Sequence, residues 1–304
     1  MTFSKQPLAC DPTKLDGLSD RLITSHYENN YGGAVRRLNA IRAEFQSMDW
    51  KSAPTYTVNS LKREELIAAN SAFLHELYFD ALGTAGPLKP GGLSVAFNRD
   101  FGSFDRWRDE FVSIGKALGG GSGWALCSLS ARENRLVNQW APDHTALMGG
   151  ATPILALDMY EHAYHMDYGA NASAYVDAFI RNIDWDKANN RYAAAVESVT
   201  GHLAIDADAV LARRGEALLI DVRRKGAFEA ANSLIAGATW RDPEKVAEWS
   251  EILPLSQPVV VYCVFGHEVG QSTAVVLKAK GIDATFLVGG IHDWVEAGRP
   301  VEAK

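Results

Sequence analysis

Asp158 and His162 stand four residues apart, directly after the apolar run Pro153–Leu157, and two more histidines, His26 and His75, lie upstream in segments of helical periodicity. A chain that uses all four must bring segments far apart in sequence to a single point. Three neutral imidazoles and one carboxylate suit a first-row transition metal of intermediate hardness, such as iron or manganese. They also leave a coordination position open for solvent or a small substrate. Taken singly, each residue says little. A helix histidine is more often satisfied within a core, and Asp158 at the end of a strand also suits a helix N-cap. The surrounding register is what gives the four their weight.

The 304 residues suffice for two domains, and 47% hydrophobic with 22% charged residues is the composition of an ordinary globular protein. No apolar run approaches the roughly 18–20 residues that span a bilayer. The N-terminal stretch 1–8 lacks the apolar region and cleavage site of a secretory signal, so a cytoplasmic protein without a membrane partner is expected. The net charge of −7 divides without strong asymmetry along the chain, which argues against a nucleic-acid partner. An anionic substrate would need a local positive field, since the global field repels it. Cys10, Cys127 and Cys263 are too few and too widely spaced for a disulfide framework or a zinc site, and leave room for one reactive thiol.

Leu15, Leu18, Leu22, Ile23, Tyr27, Val35, Leu38, Ile41 and Phe45 recur at threes and fours, predicting helix, with a kink or close approach at Gly32 and Gly33. A second helix is predicted over 60–82, stopped by Gly83, so that the two form a hairpin. Residues 86–92 read as a loop and 104–118 as a helix. Strands are predicted at 124–129, 135–140 and 153–158, the second polar enough for a sheet edge, followed by helices at 175–183 and 186–196. From Ala217 the pattern changes. Apolar strands at 217–222, 258–263 and 284–288 alternate with helical segments at 227–231, 243–251 and 269–280, which argues for a parallel α/β sheet. The boundary is expected near 196–203.

Several segments before that boundary resemble the iron/manganese superoxide dismutases. Ile23-Thr-Ser-His26-Tyr with Val35-Arg-Arg-Leu38-Asn39 is similar to the first ligand helix, and Asn70-Ser-Ala-Phe-Leu-His75 to the second. Gly121-Ser-Gly-Trp124 is similar to the turn whose Trp packs near the metal. Asp158-x-x-Glu161-His162-Ala-Tyr164 matches the ligand signature, with Tyr160 where Trp is usual, and Asn182-Ile-Asp-Trp185 resembles the closing segment. The resemblance covers about residues 7–195. It implies a helical hairpin over 1–90 and an α/β part over 91–198, an α+β fold. His26, His75, Asp158 and His162 would hold one iron or manganese ion per chain, with solvent as a fifth ligand. The implied reaction is disproportionation of superoxide to oxygen and hydrogen peroxide. Glu161 would orient a ligand histidine across a homodimer interface. The absence of the Gln that manganese members place before the ligand strand favours iron.

Around this cage the chain departs from the family. Asn30 replaces the His at the pocket mouth, Ala34 the gateway Tyr, His165 the Tyr that spans the dimer, and Ser71 a Gln found in many iron enzymes. Two residues are candidates to restore proton delivery. His144 lies where relatives send a Gln or His to the solvent ligand, a place that also suits a surface-loop histidine. Tyr31 shares a helix face with Ala34, a place that also suits simple packing.

Leu218-Leu-Ile-Asp221-Val-Arg223, Ile235-Ala-Gly237-Ala238, Cys263 after an apolar strand, and Leu287-Val-Gly-Gly290-Ile-x-x-Trp294 resemble a rhodanese-like domain over 203–304. The resemblance implies sulfur transfer with Cys263 as nucleophile and persulfide carrier, for an unknown sulfur donor or thiol acceptor. Glu268 stands where thiosulfate-using members often carry Arg, and Leu234 where a His is common. Gly266-His267-Glu268-Val269 is similar to a loop variant in domains linked to chromate or other oxyanion stress. The expectation is a superoxide dismutase with an accessory persulfide carrier, acting in oxidative stress. The competing expectation is a sulfurtransferase or thiol redox sensor, in which the dismutase-like part is a metal-binding platform.

Overall fold

Ser19 opens the first long helical stretch. Its hydroxyl accepts the Leu22 N–H at 3.1 Å, and Asp20 sits in the first turn, where the helix dipole favours an acid. In the computed structural model, which describes residues 2–83 and 86–304, this stretch comprises α1 (Asp20–Ser25), a π-helical segment (His26–Tyr31) and α2 (Gly32–Ser47). The irregularity predicted at Gly32 and Gly33 thus occupies the six residues before them. The wider π turn points both His26 and Tyr31 inward, each 1% exposed.

The second helix, α3 (Thr55–Ala81), begins earlier than the predicted Ser60 because Pro54, with ψ 137°, supplies the extended residue that precedes a helix. It ends as predicted, where Leu82 turns extended and the Gly83 N–H bonds to Asn182 O at 2.9 Å. Leu38 and Ile41 of α2 pack on Ala68 of α3, and burying each large side chain contributes roughly 2 kcal/mol. A helix that the pattern missed, α4 (Gly92–Phe101), follows the predicted loop and is capped by the Ser94 hydroxyl on the Gly91 N–H. Then comes α5 (Phe104–Ala117), opened by Ser103.

Strands β1 (Trp124–Ser130), β2 (Arg135–Ala141) and β3 (Ala151–Asp158) form an antiparallel sheet in the order β2-β1-β3. The central strand is buried along its whole length, and β2, as its polarity predicted, is an edge. The register sets Trp124 opposite Asp158. Gly123 makes this entry tight: its φ is +134°, and a Cβ there would lie 2.2 Å from Ala141 O. Short α6 (His165–Tyr168), then α7 (Ala172–Arg181) and α8 (Trp185–Thr200), follow. The chain divides into two compact units, Met1–Tyr192 and Ala193–Lys304.

In the second unit β4 (Ala204–Ile205), β5 (Leu218–Asp221), β7 (Thr239–Trp240), β8 (Val259–Tyr262) and β9 (Ala284–Leu287) make a wholly parallel sheet, ordered β4-β9-β8-β5-β7. Two strands outside the alternating pattern, β6 (Ser233–Ile235) and β10 (Val301–Ala303), pair antiparallel. Successive β8 side chains serve opposite cores. Val259, Val261 and Cys263 pack with Trp249, Ala274 and Leu277, while Val260 and Tyr262 pack with Leu234, Ile235 and Trp294. Burial on both faces is why these strands read as continuous apolar runs. Helices α9 (Ala207–Ala212), α10 (Lys225–Glu229), α11 (Val246–Trp249), α12 (Glu268–Ala279) and α13 (Gly290–Glu296) complete the unit. Among the described residues no helix is long and apolar enough to cross a membrane.

Candidate metal centre and the Cys263 loop

His26 comes from the π-helical segment, His75 from α3, Asp158 from the last position of β3, and His162 from a 3-10 turn, Glu161–Ala163. Their Nε2 atoms converge on one oxygen, Asp158 Oδ2, at 3.1 Å for His26, 3.3 Å for His75 and 3.2 Å for His162. One ligand atom from each of the four lies within 4.8 Å of all the others. Nitrogen and oxygen donors bound at about 2.0–2.2 Å to one ion stand about 3 Å apart or more, so the spacing fits. The other Asp158 oxygen accepts the Tyr160 N–H at 2.9 Å, and the Asp158 carbonyl accepts the Tyr175 hydroxyl at 2.8 Å.

The ring of His75 has its tautomer fixed. Its Nδ1 donates to the Ser71 carbonyl at 2.6 Å, which leaves Nε2 with a bare lone pair, buried and without a hydrogen-bond partner. A buried lone pair aimed at three other donors is what a cation satisfies. Burial pushes the His75 imidazole down to about 3 and that of His26 down as well, so both are neutral at ordinary pH. Burial alone would raise the Asp158 carboxyl, yet the adjacent His162 and His26 hold it well below the usual carboxylate range. Neutral imidazoles and an ionised carboxylate are the protonation states that bind metal.

Around this cage Trp124 meets the His75 ring edge-on, with centroids 5.3 Å apart. Its indole N–H donates to His144 Nδ1 at 3.0 Å, so in the neutral imidazole the proton lies on Nε2. Burial pushes His144 down. Its ring stacks on Tyr160 at 4.8 Å, and Tyr160 stacks in turn on His162 at 5.5 Å. Asn70 pins the His144 carbonyl at 2.5 Å. Tyr31 stacks on His75 with centroids 6.3 Å apart. Its hydroxyl accepts the Gln6 N–H at 2.8 Å and donates to Glu76 at 2.6 Å. Glu161 is exposed at the start of the 3-10 turn, while Ala34 is buried within α2. The sequence marks Ser71 only as a replacement for Gln; its role here is through its carbonyl, which no residue type signals. Glu76 and Tyr175 carry no sequence signal, and Tyr175 reaches Asp158 from α7, a contact no local spacing encodes.

Cys263 follows β8 and is buried, its Sγ 3.9 Å from the His267 carbonyl. The loop back to α12 nests against the turn after β9. Ile291 N–H donates to Cys263 O at 3.0 Å and His292 N–H to Val264 O at 2.9 Å. Gly266, at φ +67°, has Leu287 O only 2.4 Å from where its Cβ would be. All three cysteines are free thiols, and burial pushes Cys127 up to about 12, leaving it inert.

Comparison with known proteins follows the same division. A superoxide dismutase [Fe] from Cupriavidus metallidurans is 62% identical over 196 residues, covering 64% of this chain and 99% of that protein. The chain belongs to the iron/manganese superoxide dismutase family. The C-terminal domain of iron/manganese superoxide dismutases matches residues 89–191, within the Met1–Tyr192 unit that holds the cage. More distant family members are a superoxide dismutase [Fe] from Aquifex aeolicus, 32% identical over 62% of this chain and 90% of its own, and a superoxide dismutase [Mn] 1 from Halobacterium salinarum, 31% identical over 64% and 97%. Beyond the region shared with these dismutases, a rhodanese-like domain matches residues 206–297.

Proposed function

We propose that this protein is an iron-dependent superoxide dismutase with an attached rhodanese-like unit that carries sulfur on Cys263. It acts in the cytoplasm as a homodimer, with one ion per chain held by His26, His75, Asp158 and His162. The observation that carries the reading is the convergence of three imidazole nitrogens on one buried carboxylate oxygen, beside a His75 lone pair with no other partner. An ion held by these four residues would supply one-electron redox chemistry for superoxide.

The chain's own residues do the rest. His75 is held in a single tautomer by Ser71, and Asp158 by the Tyr160 N–H, so the cage is oriented before an ion arrives. His144, its Nε2 protonated through Trp124, holds a donor proton for the peroxide product. Tyr31 keeps the His75 ring in place by stacking. Its hydroxyl is committed to Glu76, which makes His144 the better proton donor of the two candidates. The residue changes at Asn30 and Ala34 shift proton delivery to this other side. Cys263 supplies a nucleophilic sulfur cradled by the α12 N-terminus.

The test is superoxide decay per bound metal, compared with a His162→Ala control. Rapid decay that tracks iron content and is lost in the control is expected. A fully loaded protein with no decay above that of free metal would sink the proposal.

A further inference from the structure

The pairing of the first unit's sheet sets one of its ends apart from the cage. Trp124 faces Ala141 and Asp158 at the cage end, whereas Ser130 faces Arg135 and Ala151 at the other. The length of β1 between them spans about 20 Å. Toward the far end, beside the edge strand β2, lies a cavity of about 430 Å³ whose lining includes Asp100, Arg106, Glu110, Arg135 and Asn138.

The charges of this lining do not cancel. The Asp100 carboxylate is buried and engaged: Arg99 donates to it from Nε and from Nη2 at 2.6 Å each, and the Leu136 N–H donates at 2.7 Å. Asp105 and Asp109, near Arg106 in the chain, both pair with Arg108. Arg106 and Glu110 stand one turn apart on α5, yet the Arg106 guanidinium has no hydrogen bond or ion pair among the described residues. Arg135 donates from Nη2 to the Asp100 carbonyl at 3.2 Å, which fixes its position without neutralising its charge. Two guanidinium groups thus meet one uncompensated carboxylate, that of Glu110, in a chain of net charge −7. Asn138 is poorly satisfied as well. Its Oδ1 is buried without a partner, and its Nδ2 makes only long bonds, 3.4 Å to the Trp107 carbonyl and 3.3 Å to Glu110 Oε1.

A guanidinium offers about five N–H donors in a planar fork matched to phosphate oxygens. To a pair of such forks a phosphate group presents more acceptor oxygens than a carboxylate does. The cavity is far larger than a bare phosphate, and the oxygens of Glu110 and Asn138 call for donors on the rest of the occupant. We propose that this cavity binds a small phosphate monoester, with Arg106 and Arg135 on the phosphate and with Glu110 and Asn138 accepting from hydroxyl groups of the ester's body.

The experiment titrates the intact, iron-loaded protein by calorimetry with glycerol phosphate, inorganic phosphate and succinate. Glycerol phosphate is expected to bind at least about tenfold more tightly than either of the others. Arg106→Gln and Arg135→Gln, both at exposed positions, are each expected to weaken it at least about tenfold while the melting midpoint stays in place. Lys14→Gln, which removes the same charge from an exposed site elsewhere in the unit, is expected to leave it unaltered. Absence of binding by glycerol phosphate at millimolar concentration, or binding that both arginine variants leave intact, overturns the site. Succinate bound as tightly overturns the phosphate assignment, and inorganic phosphate bound as tightly overturns the ester.

Discussion

The indole N–H of Trp124 decides which nitrogen of His144 carries a proton. An indole only donates, so His144 Nδ1 accepts and Nε2 keeps the hydrogen. Two ring stacks then lock His144 against Tyr160 and Tyr160 against His162, so rotation of His144 is opposed by packing as well as by the hydrogen bond. Replacing Trp124 by Phe keeps most of the apolar contact and removes only the donor. Trp124→Phe is expected to retain its iron while superoxide decay per iron falls roughly 10–100-fold, the usual cost of losing a group that orients a site. Unchanged decay at full iron loading would mean that the protonated Nε2 of His144 plays no part.

At the scale of elements, the Cys263 loop depends on a backbone that only glycine adopts without strain. Gly266 has φ +67° and has Leu287 O and Gly289 N at 2.4 Å and 2.6 Å from where a Cβ would stand. Gly266→Ala adds about 1 kcal/mol of conformational strain and a clash with backbone that cannot step aside. Sulfur loading of Cys263 should fall at least about tenfold, with bound iron unchanged. Loading at the wild-type rate would show that the loop tolerates displacement. Elements with strong period or composition were legible in the sequence: α3, the three strands of the first sheet, and β5, β8 and β9 all lie where apolar spacing put them. What escaped has a physical reason. The short α4 hides behind a Gly- and Pro-rich approach, and the π-helical segment has the composition of ordinary helix. The β6–β10 pair joins two three-residue strands distant in sequence. The candidate ligands were legible because each sits in its own recognisable segment. The Trp124–His144 bond was not, since it arises from strand register and a loop that returns across it.

At the scale of the whole molecule, each unit has its own core and its own candidate site: the four-residue cage lies in the first and Cys263 in the second. The two chemistries should therefore respond separately to loss of metal. In the stripped protein His75 is buried with its imidazole pushed down to about 3, whereas the unfolded chain titrates histidine near 6.5. The unfolded state thus takes up the proton first as pH falls. Stability is complete above about 6.5 and is lost as the pH drops toward the folded value, by about 2 kcal/mol between pH 7 and pH 5 for this one group. A bound ion competes for the same lone pair and holds the site against those protons. Removing iron by chelation should lower the melting midpoint of the first unit, steepen its fall between pH 7 and pH 5, and abolish superoxide decay. Sulfur loading of Cys263 at pH 7 should persist, and readdition of iron should restore both midpoint and decay. If stripping the metal also silenced Cys263, the independence of the two chemistries would be overturned.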